Sequence, residues 1–204
     1  MDHDSDDIQH YFTTEPDVAS KPVLVTATVR GFRLRLWTDH GVFSYGKVDA
    51  GSRLLAASFE IGERDRVLDW GAGYGVLGIV AAKLQPAATV TMVEVNTRAA
   101  ELARRNIAAN DVPNARVIGG VAPDALGDLQ FDTIVSNPPV SRGRRLVEEM
   151  IADAHARLSP GGCLWLVIHT KKGAKRYLQY MKQLFETADT ATITGGYRVL
   201  VGRK

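Results

Sequence analysis

The sequence predicts an α/β fold: a mostly parallel, doubly wound sheet of seven strands, with a small β-hairpin added before it. Three observations predict this. From Arg66 onward, short apolar strands alternate with helical stretches, the pattern of βα units in a parallel sheet. The last two strands are joined by Gly195-Gly196, a tight antiparallel hairpin that makes the sheet mixed. Ahead of them, VLVTATVR (23–30) and FRLRLWT (32–38) alternate in the strand period around Gly31, which reads as a hairpin.

The elements follow in order. Residues 1–10 hold four Asp and no Lys or Arg and read as a flexible acidic tail. Residues 11–48 form the hairpin extension and end in a glycine-punctuated loop, DHGVFSYGKVD. The principal domain is expected over 49–204. Asp49 to Ser52 can cap a helix over about 52–60. The seven strands are read at 66–70, 89–94, 115–118, 132–136, 163–168, 189–194 and 197–202. Helices lie between them at about 76–84, 97–109, 144–158 and 173–186. Pro160-Gly161-Gly162 reads as a turn leading into the fifth strand. Trp70, Trp165, Leu102 and Ile107 are expected in the core.

Composition bounds the function. At 204 residues, 45% hydrophobic and 24% charged, the chain is long and apolar enough for one folded α/β domain. A single cysteine, Cys163, excludes an internal disulfide and a four-cysteine zinc site, and the five histidines lack metal-ligand spacing. No metal is expected. A reducing, cytoplasmic setting is expected. No apolar run approaches the roughly 20 residues needed to span a bilayer, and the N-terminus is acidic where a signal peptide is basic. Residues 11–204 carry 25 basic and 19 acidic groups, a net of +6, which suits an anionic partner.

The chemistry is concentrated at the ends of three strands. Gly71, Gly73 and Gly75 follow the strand 66–70, where a backbone without Cβ atoms can turn tightly and approach a ligand. Val76 stands where a dinucleotide fingerprint needs glycine, which disfavours a nicotinamide dehydrogenase. Glu94 ends the next strand and can accept hydrogen bonds from ribose hydroxyls. Asn137-Pro138-Pro139 ends the strand 132–136. The prolines stiffen the backbone, and the Asn137 amide oxygen with a backbone carbonyl can accept from one NH2 group. All three features fall on the carboxyl edge of the sheet, where ligands bind in such folds. Together they suggest a nucleotide-like cofactor beside a site that grips an amine.

These segments resemble the class I S-adenosylmethionine-dependent methyltransferases, and most closely the small-domain family related to the small-subunit ribosomal RNA guanine-N2 methyltransferases. The resemblance runs from His10 onward and includes FSYGKVDAGSRLL (43–55), LDWGAGYGVLGI (68–79), VEVN (93–96), SNPPV (136–140) and TKKGAKRYLQYMK (170–182). It implies a Rossmann-like seven-stranded domain that transfers a methyl group from S-adenosylmethionine, releasing S-adenosylhomocysteine, to an exocyclic nitrogen, first of all guanine N2 of RNA. It implies that Asp69 and the 71–75 turn lie along the methionine part of the cofactor, and that Glu94, beside Val95, holds the ribose. Gly120-Val121 would flank the adenine with a backbone N–H, Phe43 and Ser44 would help close the site, and Asn137, Pro138 and Pro139 would form the catalytic turn. Two positions depart from the family pattern. The nearest carboxylate to Val121 is Asp124, and Val140 stands where an aromatic residue often stacks on the target base, so base clamping must be weaker or come from elsewhere.

Arg142, Arg144 and Arg145 directly follow the Asn-Pro-Pro turn, and Lys171 and Lys172 begin a second basic group with Lys175, Arg176 and Lys182. Both are candidates for RNA phosphates. The expected partner is ribosomal RNA or the small subunit, with no membrane and with a monomer favoured. His169, at the end of the fifth strand, is a candidate proton relay or a structural residue, and Tyr74 touches or covers the cofactor. Two alternatives stay open: a protein-glutamine N5-methyltransferase, and a non-catalytic RNA-binding or assembly factor that retains the fold.

Overall fold

A computed structural model describes residues 16 and 18–204; the acidic segment 1–10 lies outside them. Strands β1 (Val23–Val29) and β2 (Phe32–Thr38) pair antiparallel as a separate two-stranded sheet. Their inward positions Ala27, Val29, Leu34 and Leu36 are buried, as the period-two pattern requires. Helix α1 (Ala50–Ser58) follows, capped by Asp49, whose carboxylate accepts from the Ser52 N–H at 2.9 Å. It starts two residues earlier than the sequence suggests and ends where Phe59 turns extended and buries its ring.

The main sheet comprises β3 (Arg66–Trp70), β4 (Thr89–Glu94), β5 (Ala115–Gly119), β6 (Phe131–Ser136), β7 (Leu158–His169), β8 (Thr187–Thr194) and β9 (Tyr197–Arg203). Its order is β5-β4-β3-β6-β7-β9-β8, with β9 antiparallel to both neighbours. The expected seven-stranded mixed sheet is therefore present. Gly195 and Gly196 both have positive φ, 58° and 82°, as a tight two-residue hairpin turn needs. Helices α2 (Val76–Leu84) and α3 (Thr97–Ala109) join α1 and the hairpin on one face. Helices α4 (Ala122–Leu126), α5 (Arg144–Arg157) and α6 (Ala174–Leu184) cover the other. Strand β3 is central and covered on both faces. Val67 and Leu68 are fully buried, each such side chain contributing about 1.5–3 kcal/mol.

Two local readings change. Helix α4, of five residues, is too short for apolar periodicity to reveal it. Strand β7 begins at Leu158 rather than 163 and contains Pro160-Gly161-Gly162. Leu158 pairs with Phe131 and Cys163 with Thr133, so the extra residues bulge within the strand. The bulge is held by Lys204, whose carbonyl accepts from the Gly161 N–H at 2.6 Å and whose N–H donates to Gly162 at 3.0 Å. That partner is over 40 residues away and leaves no local signal.

Candidate active site

The chain reverses direction across the sheet between β3 and β6: β4 and β5 lie on one side of β3, β6 and β7 on the other. A crevice forms at such a switch point, beyond the carboxyl ends of the strands. Ser136 ties the two strand ends together, its hydroxyl donating to the Trp70 carbonyl at 2.7 Å.

The glycine turn fills one side of this crevice. Gly71, Gly73 and Gly75 all have positive φ, at 71°, 56° and 93°. A Cβ added at Gly71 or Gly73 would meet no atom within 4 Å, so both present bare backbone to open space. The turn is pinned to β4: the N–H groups of Gly71 and Ala72 both donate to the Val93 carbonyl. Glu94 completes the attachment. Its buried carboxylate accepts from the Gly73 N–H at 2.8 Å and the Asn96 N–H at 2.9 Å. Each of its oxygens keeps a further lone pair. Val95 follows, half-buried.

Asp69 lies beneath the turn with no exposure to solvent. One oxygen accepts from the Gly78 N–H in the first turn of α2 at 2.8 Å, and the other has no partner. Gly75, at the N-cap, has no side chain, so Asp69 supplies the capping carboxylate from the strand. Burial pushes its carboxyl up to about 7; the Gly78 N–H opposes that shift and the Glu94 charge adds to it. Gly78 itself is glycine for packing: a Cβ there would lie 2.4 Å from the Met92 Cε.

The loop 39–49 arches over the turn. Tyr74 and Ser44 both donate to the Lys47 carbonyl, at 2.7 and 2.9 Å, and Asn96 donates to Gly41 at 3.1 Å. Burial pushes the Tyr74 hydroxyl up to about 12, so it stays a neutral donor. Ser44 has a positive φ of 60°, and Phe43 is 64% exposed. The Gly120 N–H donates to the Glu94 carbonyl at 3.0 Å. It is therefore committed, and only Val121, the N-cap of α4, is left as the expected backbone donor to an adenine.

Asn137 faces the turn from the end of β6, half-buried, with Pro138 buried and Pro139 exposed behind it. Its Nδ2 donates to Asp49 Oδ2 and to Ser52 Oγ, both at 3.1 Å. A flipped amide would set its oxygen against the Asp49 carboxylate. The arrangement therefore fixes Oδ1 as the free acceptor. Asp49 and Ser52 are readable in the sequence only as helix-capping residues, and their second role depends on a contact across more than 80 residues.

The basic candidates follow the ends of two neighbouring strands, β6 and β7, and Arg144 and Arg176 both act on the Tyr177 hydroxyl. Arg142 lies on a 3-10 turn, Val140–Arg142, and Arg144 and Arg145 open α5. Arg144 pairs with Glu148 and Arg145 with Glu149, each at 2.7 Å, with both arginines exposed and Glu148 largely covered, so part of their charge is neutralised. Lys171 and Lys172 are exposed on the turn Thr170–Lys172. His169 caps that turn, its ring nitrogen accepting from the Lys171 N–H at 3.3 Å, and it stacks edge-on against Tyr197. These contacts give it a structural role. Trp70, Trp165 and Leu102 are buried and Ile107 packs against the core. Among the described residues no group of His, Cys, Asp and Glu is placed to hold a metal ion, and no helix is long and apolar enough to cross a membrane. An open depression of about 660 Å³, lined by Glu60, Asp65, Asp132 and Asp189 among others, lies at the opposite edge, away from the glycine turn.

Residues 33–201 match the family model described as the methyltransferase small domain. A Bacillus subtilis protein, the uncharacterized YbxB, is 32% identical over 96% of this chain and 98% of its own length. The ribosomal RNA small subunit methyltransferase C of Haemophilus influenzae is 32% identical over 81% of the chain and 50% of its own length. The Thermus thermophilus 16S rRNA N2 G1207 methyltransferase, solved with AdoMet and guanosine, superposes with a TM-score of 0.77 at 30% identity, over 93% of this chain and 52% of that one. The chain thus spans about half the length of the ribosomal RNA methyltransferases it matches.

Proposed function

The chain belongs to the methyltransferase small-domain family, and from that premise we propose that it transfers a methyl group from S-adenosylmethionine to the exocyclic N2 amine of a guanine in ribosomal RNA. The observation that carries the reading is the single fixed acceptor on Asn137, oriented by Asp49 and Ser52 and set across the switch-point crevice from bare glycine backbone. The Thermus thermophilus protein, with its N2 guanine specificity and its bound guanosine, supports the choice of base. The proposed domain is 49–204 with the hairpin extension 11–48 in front, acting as a monomer in the cytoplasm.

The crevice fits the cofactor on two counts. Gly71 and Gly73 leave a cradle that any Cβ would fill, and Asp69 has a buried oxygen with no partner. Asp69 and the 71–75 turn would hold the methionine part, Glu94 and Val95 the ribose, Val121 the adenine edge, and Phe43 and Ser44 the mouth. When bound, S-adenosylmethionine supplies an electrophilic methyl on a sulfonium, so no metal is needed to activate it. Asn137 Oδ1 accepts from the target NH2, and the stiff Pro138 carbonyl, which already accepts from the Val140 N–H at 2.8 Å, offers its second lone pair. This turns the amine lone pair toward the methyl and stabilises the charge that develops on nitrogen. Glu94 places negative charge beside a cationic cofactor, while Asp69, its carboxyl pushed up to about 7 by burial, adds charge only as pH rises past that value. The guanine must be unpaired or extruded to reach the crevice.

The test is transfer of labelled methyl from S-adenosylmethionine to unmodified ribosomal RNA, free and in subunits, with protein substrates in parallel. Label recovered as N2-methylguanosine supports the proposal. Label in protein alone would replace it with the glutamine reading, and cofactor binding without transfer to any substrate would favour a non-catalytic factor.

A further inference from the structure

The outer face of the N-terminal hairpin carries charge that nothing in the fold uses. Cross-strand pairing puts Arg33 opposite Thr28, Arg35 opposite Thr26 and Trp37 opposite Leu24. All six share one face, and that face has no carboxylate. The neighbouring arginines are consumed internally: Arg30 donates to the Phe59 and Ala56 carbonyls, Arg53 to Thr28, and Arg98 to His40. The guanidinium groups of Arg33 and Arg35 make no hydrogen bond or ion pair among the described residues and are exposed. The Arg105 guanidinium carbon, from α3, lies over the Trp37 ring, 3.5 Å from its centroid.

Protection of a strand edge does not account for these arginines. The open edge of β2 is already closed by two side-chain amides, Asn106 of α3 and Asn110 at its C-cap. Asn106 exchanges hydrogen bonds with the Trp37 N–H and carbonyl, and Asn110 with those of Arg35, at 2.7–3.0 Å. Asn106 also donates to the Tyr74 carbonyl at 2.8 Å. The same side chain thus holds the Trp37 end of the arginine row and the glycine turn of the cofactor crevice.

We propose that this face, Arg33, Arg35 and the Arg105–Trp37 stack, binds the single-stranded RNA that flanks the target guanine. Successive outward positions on β2 lie about 7 Å apart, and both are cationic, which suits consecutive phosphates of an extended strand. The Arg105 guanidinium, held over the indole, offers a stacking partner for an unpaired base. The row starts beside the glycine turn and leads away from it. RNA lying along it would therefore have one end at the glycine turn. The proposal rests on RNA being the acceptor.

The experiment uses the full chain and a labelled single-stranded RNA oligonucleotide containing guanosine, titrated over a range of KCl, with methyl transfer and S-adenosylhomocysteine affinity measured alongside. Arg33→Gln/Arg35→Gln should weaken RNA binding on the order of tenfold or more and lower the slope of log K against log salt by about 1.4, two single-strand phosphate contacts, with cofactor affinity unchanged. Arg105→Gln should weaken binding with a smaller change in slope. If the wild-type protein binds and methylates RNA while the double variant keeps its full slope, the surface assignment is overturned and the RNA reading stands. Loss of that slope in Arg144→Gln/Arg145→Gln instead would overturn the surface assignment in the same way. A wild-type protein that neither methylates RNA nor binds it in a salt-dependent way overturns both.

Discussion

Replacing Asn137 by alanine removes the acceptor that orients the amine while leaving its supports in place. Asp49 Oδ2 keeps the Ser52 N–H at 2.9 Å, so α1 stays capped and no buried charge is orphaned; stability should change by no more than about 1 kcal/mol. Turnover should fall by about 10²–10³, the cost of losing one preorganised polar group, or about 2.7–4 kcal/mol, with S-adenosylhomocysteine affinity retained. Asp49 is predicted to act through Asn137. Asp49→Asn keeps a good capping residue but exchanges a charge-assisted hydrogen bond for a neutral one. The loss is about 1 kcal/mol, or about fivefold in turnover. In the Asn137→Ala background the same substitution should cost nothing further, because the group it orients is gone. The assay is labelled methyl transfer to RNA under saturating cofactor for the wild type, both single variants and the double. Turnover unchanged in Asn137→Ala would refute the role of the amide. An equal Asp49→Asn penalty in both backgrounds would refute the coupling while leaving that role intact.

Further outcomes follow from the same geometry. The Asp69 carboxyl titrates near 7 in the fold, against an ordinary value of 3.8. Its contribution to stability is therefore full below about pH 4 and is lost as pH rises through about 7; Asp69→Asn, which keeps an acceptor for Gly78, should flatten thermal midpoints between pH 5 and pH 8, and an unaltered pH profile would count against the assignment. Gly73→Ala should fold with a penalty of about 1–2 kcal/mol for its left-handed φ, yet lose cofactor binding beyond detection by calorimetry, because the new Cβ occupies the open cradle; retained affinity would mean the cradle lies elsewhere. Asn106→Ala should destabilise the protein by about 3 kcal/mol or more in denaturant titration, since it strands the Trp37 and Tyr74 backbone groups; a cost below about 1 kcal/mol would show that the hairpin is not anchored there.

The sequence by itself determined the alternation of elements, the mixed sheet and both hairpins, because apolar period and the glycine turns at Gly31 and Gly195-Gly196 are local properties of the chain. It also located the three strand ends that meet at the crevice, since Gly71 to Gly75, Glu94 and Asn137 each follow an apolar strand within a few residues. What those groups touch was not legible. That Glu94 holds the Gly73 N–H, that Asp69 caps α2 from below, and that Asp49 and Ser52 orient Asn137 depend on residues separated by nine to 88 positions. Only the order of strands in the folded sheet brings them into contact. The same holds for Arg33 and Arg35. Their alternation announced a strand face, but only packing showed that Arg30, Arg53 and Arg98 bond to backbone carbonyls of the fold while these two are left without such partners. Spacing along a chain fixes which way a side chain points from its own element; which partner it finds is fixed by the elements packed against it.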